Sequence, residues 1–299
     1  MTHGADLVLV HEWNEPELVT GLGEHRRRGS KHYQLLFHDT HHRSVSDENA
    51  LGKLDLSSYD GVLAFGETVR ERYLRAGWAN RVWTFHEAAD VRLFRPRPEY
   101  ERELDLIWVG NFGDDERTRE LEEFVFEPAR TLGLSGAVYG VRYPRHGLEA
   151  VQRAGLQYRG WIANYDVPEA FARHRLTVHV PRRPYVEALP GIPTIRVFEA
   201  LASGIPLISA PWLDSEHLFR DGDFLAVQSG ADTRRAMRLL LNDATAAAEL
   251  AVRGRETVLT RHTCAHRVKQ LLSIAHQLGV PRTFDRSEGT PHPGASAWD

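Results

Sequence analysis

The segment from Gly191 to Glu199 combines residue types that can bind an anion. A Gly/Pro loop, Pro190 to Pro193, leads into a short helical pattern that starts at Ile195. Glycine lets a backbone approach a ligand closely, and the start of a helix directs free N–H groups and a positive dipole end at the same place. Glu199 lies further along the helix, where its carboxylate could accept hydrogen bonds from two ribose hydroxyls. The alternative interpretation is a surface turn and a helix whose glutamate is solvated.

A second polar segment, Phe37 to Arg43, follows a predicted strand and should lie where the carboxyl ends of the strands meet. Its His38 and Asp39 are candidates for contact with a ligand there. Two alternatives stay open, a loop with a structural role only and a metal site. The metal site would use four side chains, His38, Asp39, His41 and His42. His11 and Glu12, which follow the first predicted strand, could reach the same place.

Short apolar runs alternate with helix-period segments along the chain, which is typical of parallel βαβ units. The predicted strands are 6–10, 33–37, 61–65, 81–85, 104–109, 136–139, 156–158, 176–180 and 206–209. The predicted helices are 67–76, 116–132, 167–173, 195–203, 231–241, 244–260 and 265–278. Two prolines and alternating charge from Phe94 to Glu103 indicate a linker. We therefore expect two α/β units in series, with the ligand in the cleft between them.

The composition is that of a globular protein, with 42% hydrophobic and 26% charged residues among 299. A formal net charge of -4 argues against nucleic acid as a partner, because phosphate binding needs clustered positive charge. No apolar run has the ~20 residues of a transmembrane helix, and Met1 to Asp6 lacks the pattern of a signal peptide. The single cysteine, Cys264, suits a reducing compartment, so we expect a cytoplasmic protein.

Four ordered segments resemble a known family. Gly191 to Ser209 has the form Gly-x-Pro-Thr-x-Arg-Val-Phe-Glu-Ala-Leu-Ala-Ser-Gly-Ile-Pro-Leu-Ile-Ser, and it resembles the donor-site motif of GT-B glycosyltransferases of the group-1 type. The similarity is greatest to the CgeB-like (spore maturation protein) branch, and it extends over Leu104 to about Leu278. Asp105 to Leu121 is similar to the family's first strand and loop of the C-terminal domain. Two further stretches, Tyr139-Gly-Val-Arg-Tyr-Pro and Tyr158-Arg-Gly-Trp-Ile-Ala-Asn, are similar to its second and third strand ends.

The resemblance implies a donor site for a nucleotide-diphosphate sugar, with UDP, GDP and dTDP not distinguished and no cofactor. Gly110 and Asn111 would line the pocket, and Arg117 would face the diphosphate. The base would meet main-chain groups near Gly160 and Trp161. Five residues would hold the phosphates: Gly191, Ile192, Pro193, Thr194 and Ile195. Arg196 or Arg117 would supply the cation, Glu199 would bind the ribose, and His38 and Asp39 would contact the sugar. For Arg117 a solvated helix start is the alternative, because Asp114, Asp115 and Glu116 precede it.

The chain departs from the family pattern in two places. Related family-four transferases carry a glutamate eight residues before the ribose glutamate, where this chain has Gly191. The nearest carboxylate is Glu187, which serves from a different loop position or not at all. The N-terminal half is also shorter than a GT-B N-domain. A third motif, Asp221-Gly222-Asp223, has the DxD form of another transferase fold but is interpreted as a turn.

These observations predict an α/β protein of GT-B architecture, with two Rossmann-like doubly wound domains facing a cleft and an abbreviated N-terminal one. The predicted boundaries are 1–95, 104–260, a C-terminal helix at 261–281 that crosses back, and a disordered tail at 282–299. The predicted activity is sugar transfer to an unknown acceptor, metal-independent and retaining. The alternatives are an inactive nucleotide-sugar-binding or interaction protein on this scaffold, or an epimerase or hydrolase.

Overall fold

The protein consists of two separate parallel β-sheets with helices packed around them. The computed structural model describes residues 4–29, 33–113 and 115–280. The first sheet has the strand order β1-β2-β3-β4, and the second has the order β10-β9-β8-β5-β6-β7. The strands are β1 Leu7–His11, β2 Gln34–Asp39, β3 Gly61–Ala64, β4 Val82–Thr84, β5 Leu104–Val109, β6 Gly136–Tyr139, β7 Gln157–Gly160, β8 His174–His179, β9 Leu207–Ser209 and β10 Leu225–Ala226.

The helices follow the strands in the alternation that the sequence predicts. They are α1 Pro16–Arg28, α2 Arg43–Ser46, α3 Glu48–Gly52, α4 Glu67–Ala76, α5 Thr118–Leu121, α6 Glu127–Leu132, α7 Arg145–Arg153, α8 Val167–Ala172, α9 Arg183–Glu187, α10 Ile195–Ser203, α11 Gly230–Asn242, α12 Ala244–Arg261 and α13 Cys264–Gln277. A π-helical turn, Glu122–Phe126, joins α5 to α6. None of these helices has the length and apolar character required to cross a membrane.

The first sheet winds in one direction throughout the described residues. Its strands pair in sequence order, so right-handed crossovers place α1 to α4 on the same face. On that face Leu35, Phe37 and Val62 form one apolar cluster. The alternate residues Leu36 and Leu63 point to the opposite face, where they pack with Ile274 of α13. Helix α13, the last helix within the described residues, therefore covers the face of the first sheet that this sheet's own crossovers leave open.

The second sheet has the doubly wound order 3-2-1-4-5-6 when its strands are counted from β5. The winding direction reverses between β5 and β8, which pair through Leu106 and Leu176. Loops that leave the carboxyl ends of two such strands diverge and open a crevice, which is where ligands of these sheets bind. The predicted α/β class with two Rossmann-like units is confirmed. Within the described residues only the second sheet is doubly wound, since the four strands of the first sheet follow one another in sequence order.

The connection between the sheets is packed rather than extended. Ala89 and Phe94 are buried against the second sheet. Ala89 also pairs with Thr263, where the chain returns toward the first sheet. The backbone N–H of Cys264 donates to the Ala89 carbonyl at 3.0 Å. The two chain crossings thus lie side by side and are joined by backbone hydrogen bonds.

All nine predicted strands are confirmed with shifts of a few residues at their ends, and so are the seven predicted helices. Helix α4 ends at Gly77, whose φ of 68° is left-handed, as its sequence indicates. Helices α1 and α7 were not predicted. Few residues of α1 are buried and its apolar period is weak, whereas α7 is clearly amphipathic and its period was an available signal. The predicted tail, 282–299, lies outside the described residues.

Candidate functional site

Helix α10 begins beside a cavity that lies between the two sheets. Its first residue, Ile195, lines this cavity of about 420 Å³. Among the described residues, no side chain caps this helix start. The first N–H groups of α10 have no acceptor within the helix, so they and the helix dipole favour an anion at this point. The remaining wall comes from strand ends of the first sheet and from α13, through His11, His38, Thr40, Phe85, His86, Glu87, Ala88, Cys264, Arg267, Val268 and Leu271.

Glu199 is buried in α10, with only 2% of its surface exposed. Its Oε1 accepts a hydrogen bond from Asn164 Nδ2 at 3.0 Å, and its Oε2 lies 2.6 Å from Arg196 Nη1. Burial raises the pKa of Glu199, while Arg196 and the Asn164 hydrogen bond act in the opposite direction. The interpretation of Glu199 as a solvated helix residue is therefore excluded.

A second carboxyl group, Glu87, lies close to Glu199. Burial raises the pKa of Glu87 to about 8, and the negative charge of Glu199 adds to this effect, whereas Arg196 opposes it. At neutral pH the Glu87 carboxyl is thus mostly protonated. The group of Glu87, Glu199 and Arg196 carries less negative charge than its residue types suggest, which suits a site for an anion.

The predicted phosphate loop bridges the two sheets. Gly191 has a left-handed φ of 88°, and its N–H donates to the Leu213 carbonyl at 2.7 Å. That N–H is already used, so the free N–H groups for a ligand come from the start of α10 rather than from Gly191. Ile192 is buried in the apolar core of the first sheet. A side chain on Gly66 would meet Ile192 at 2.3 Å, so close approach of the sheets requires glycine there.

Arg117 is buried at the point where the winding of the second sheet reverses. Its Nη1 donates to the Val180 carbonyl at 3.0 Å and its Nη2 to the Asn111 carbonyl at 2.5 Å. Burial lowers the pKa of Arg117 to about 10, and the like charge of Arg182 contributes, so Arg117 stays charged at neutral pH. The alternative of a solvated helix start is excluded. Both donors bind main chain, so Arg117 holds together the loops that follow β5 and β8.

Three glycines bring the loops after β5, β6 and β7 together. The N–H of Gly140 donates to the Gly160 carbonyl at 2.8 Å. A Cβ on Gly140 would lie 2.0 Å from the carbonyl oxygen of Gly110, so no other residue fits there without movement. Trp161, directly after β7, has 73% of its surface exposed. Asn164, which bonds Glu199, follows three residues later, so one loop carries both the exposed aromatic ring and the hydrogen-bond partner of the buried carboxylate.

His38 and Asp39 point to opposite faces of the first sheet, as neighbouring strand residues must. His38 lines the cavity, and burial together with His11 lowers its pKa to about 4. Asp39 is fully buried, and accepts hydrogen bonds from the Tyr73 hydroxyl at 2.9 Å and from the His41 N–H at 3.0 Å. In this structure, therefore, His38 can contact a ligand, whereas Asp39 holds the loop that follows β2.

The other candidates near this loop divide in the same way. His11 lines the cavity and donates from Nε2 to Thr40 Oγ1 at 3.1 Å, since its Nδ1 accepts from the Trp13 N–H. Glu12 is buried 3.3 Å from Arg43, and burial raises its pKa to about 7. Within the described residues, no three His, Cys, Asp or Glu side chains converge where a metal ion could bind.

Sequence reasoning missed His86, Glu87 and Glu216. His86 and Glu87 follow the predicted strand that ends at Phe85, so their position after a strand was an available signal. Glu216 lies in an irregular loop and gave no such signal. Glu187, the carboxylate considered as a substitute near Gly191, is exposed at the end of α9. The Asp221-Gly222-Asp223 segment is a turn, in which Asp223 is buried and accepts from the Arg220 N–H at 2.8 Å.

The arrangement is similar to several solved glycosyltransferase structures. Sucrose-phosphate synthase from Thermosynechococcus elongatus superposes with a TM-score of 0.66 at 17% identity, over 92% of this chain and 74% of that one. Alr3699/HepE from Anabaena, in complex with UDP-glucose, gives 0.66 at 13% identity over 92% and 80%. TarM from S. aureus, in a complex that contains UDP, gives 0.64 at 13% identity over 85% and 53%.

These similarities identify the fold as GT-B, with two Rossmann-like domains. A search of curated proteins finds no match. Residues 117–273, just over half of the chain, match the glycosyl transferase-like family. That region includes α10, Glu199 and most of α13, but not the strand ends of the first sheet that line the cavity. The chain therefore belongs to the glycosyl transferase-like family.

Proposed function

We propose that this protein transfers a sugar from a nucleotide-diphosphate sugar to an acceptor that is not yet identified. One observation carries the proposal: the buried carboxylate of Glu199 stands in a helix whose uncapped start faces a cavity between the two sheets. A nucleotide sugar carries a diphosphate next to the hydroxyls of its ribose. The diphosphate could bind at the start of α10, and the ribose hydroxyls could bind Glu199. Several of the similar structures were solved with UDP or UDP-glucose, which makes UDP the first nucleotide to test.

The residues divide among the parts of the donor. Glu199 would accept from the ribose hydroxyls, and the N–H groups at Ile195 and Arg196 would hold the diphosphate. Trp161 and the main chain at Gly160 would meet the base, while His38 on the cavity wall would contact the sugar. Gly110 and Asn111 would close the pocket, in the position that Arg117 fixes.

The departing diphosphate needs preorganised N–H groups and a cation, because negative charge develops on its oxygens in the transition state. Arg196 lies in the first turn of α10 and is paired with Glu199 in this structure. Donor binding would move the Arg196 guanidinium from Glu199 to the diphosphate and leave the carboxylate for the ribose. A protein cation in that position supports transfer without a metal. By its resemblance to the CgeB-like branch, we propose that the reaction retains the configuration of the sugar.

The domain assignment that goes with this mechanism has residues 1–95 on the acceptor side and residues 104–260 as the nucleotide-sugar domain. The helix at 261–281 belongs with the first sheet, against which α13 packs. The cavity then lies between a donor half and an acceptor half. The proposed acceptor is a glycan, a protein or a small molecule.

The test is calorimetric titration with UDP, GDP, dTDP and their sugars. Saturable binding of one nucleotide is expected, and Glu199→Ala should weaken it more than tenfold, because a hydrogen bond to a charged group contributes about 1.5–3 kcal/mol. Glu187→Ala removes an exposed carboxylate and is the matched control, with unchanged affinity. Wild-type protein that binds none of these nucleotides would refute the proposal. The anomeric configuration of the product, read by NMR with and without EDTA, tests retention and metal independence.

A catalytically inactive nucleotide-sugar-binding or interaction protein is the second candidate. Two observations favour it: Gly191 lacks a side chain, and Leu9 on the edge strand β1 is 45% exposed. Tight nucleotide binding with neither transfer nor hydrolysis of the nucleotide sugar would establish this candidate.

A further inference from the structure

The space beside Gly191 is filled by a carboxylate from a different loop. A Cβ built on Gly191 would lie 2.7 Å from Glu216 Cγ and 2.8 Å from Glu216 Oε1. A side chain at position 191 and Glu216 in its present position therefore exclude each other. Because Gly191 has no side chain, Glu216 can place its carboxylate where a residue-191 side chain would stand.

Glu216 belongs to the second half of the chain but is held by the first. Its Oε1 accepts from the Glu67 N–H at 2.8 Å, and its Oε2 lies 2.6 Å from His86 Nε2. The Glu216 side chain is only 13% exposed and that of His86 19%. An ionised carboxylate can only accept, so His86 Nε2 carries the proton in this pair. One Glu216 oxygen is thus anchored on the backbone at the start of α4, and the other fixes the orientation of the His86 ring.

The ring that Glu216 orients faces the candidate site. His86 lines the same cavity of about 420 Å³ as Ile195, the first residue of α10. A group attached to a phosphate at the start of α10 can extend into this cavity, whose other walls come from α13 and the strand ends of the first sheet. A hydroxyl-bearing ring there would meet the His86 imidazole, whose free nitrogen can exchange a hydrogen bond with a hydroxyl.

We propose that His86 binds the sugar of the donor and that Glu216 is the residue that positions it, in place of the side chain that Gly191 lacks. The inference rests on the proposed function, since it needs a nucleotide sugar at α10. Position 191, eight residues before Glu199, is a glycine in this chain and cannot supply a carboxylate. The inference assigns that carboxylate to Glu216. The alternative is that Glu216 only holds the two sheets together, through Glu67 and His86, and has no effect on sugar binding.

The experiment compares the affinity for a nucleotide with that for its sugar. Probes are the pairs UDP and UDP-glucose, GDP and GDP-mannose, and dTDP and dTDP-glucose, used with the full chain. The variants are Glu216→Gln, His86→Ala and the two combined, with Glu187→Gln as the matched control. In Glu216→Gln the amide has one acceptor, so the Glu67 N–H or His86 Nε2 loses its partner.

We expect Glu216→Gln and His86→Ala each to lower the affinity for the nucleotide sugar about tenfold. The affinity for the bare nucleotide should fall less than twofold. The double variant should lower the affinity for the nucleotide sugar no more than His86→Ala alone, because Glu216 acts through His86. Equal losses for nucleotide and nucleotide sugar, or no loss, would show that Glu216 only holds the two sheets together and overturn the inference. If Glu216→Gln does not fold, His86→Ala decides by the same comparison. Wild-type protein that binds no pair refutes the proposed function itself.

Discussion

Donor binding should depend on pH through Glu87. Its pKa of about 8 means that the carboxyl is mostly neutral at pH 7.5 and mostly charged at pH 9. Glu87 lines the same cavity as Ile195, so a diphosphate at the start of α10 would repel its charged form. The neutral form binds the anion better, and affinity should therefore fall as the pH rises through 8. His38, with a pKa of about 4, titrates well below this window.

The size of the effect follows from Coulomb's law. Two unit charges about 8 Å apart repel by about 2 kcal/mol at an effective dielectric constant of about 20. This energy corresponds to a rise of about 1.5 units in the Glu87 pKa when the diphosphate binds. With a free pKa of about 8, linkage then gives a dissociation constant about sixfold higher at pH 9 than at pH 7.5.

The assay is titration calorimetry with the bound nucleotide at pH 7.5, 8.25 and 9, in buffers with different ionisation enthalpies. Wild-type protein should take up a fraction of a proton on binding at pH 9. Glu87→Gln should bind with the same affinity at all three pH values, whereas Glu187→Gln should keep the wild-type dependence. A Glu87→Gln variant with an undiminished pH dependence would refute the reasoning, because another group would then carry the charge.

Two further predictions concern stability and are checked by urea unfolding. Gly140→Ala should destabilise the protein by about 3 kcal/mol, because its Cβ would lie 2.0 Å from the Gly110 oxygen, whereas Gly155→Ala, with a left-handed φ of 77° but open space, should cost about 1 kcal/mol; equal losses would contradict the packing argument. Burial raises the pKa of Glu12 from 4.5 to about 7, so ionising Glu12 destabilises the folded state. As the pH rises from 5.5 to 8.5, the free energy of unfolding of the wild type should therefore fall by about 2 kcal/mol relative to that of Glu12→Gln. Parallel pH profiles for these two proteins would show that Glu12 is not the group that titrates.

Local sequence patterns determined much of the architecture. The apolar runs, the turns between them and the helix ends predicted the strands and helices that carry the site, since each depends on residues near in sequence. The loop and helix from Gly191 to Glu199 were predicted on the same basis. The alternation of side chains along a strand also settles that His38 and Asp39 face opposite ways, although this consequence becomes visible only when the sheet's two faces are known.

Tertiary structure decided which of these side chains meet. Glu216 comes to lie beside Gly191 and His86 because loops from both sheets converge, and no local pattern encodes that contact. The burial that raises the pKa of Glu87 depends in the same way on distant parts of the chain. The sequence by itself therefore determined the elements and the helix start that can hold an anion. The charge state and the partners of the surrounding groups depend on long-range packing, and only the folded structure specifies them.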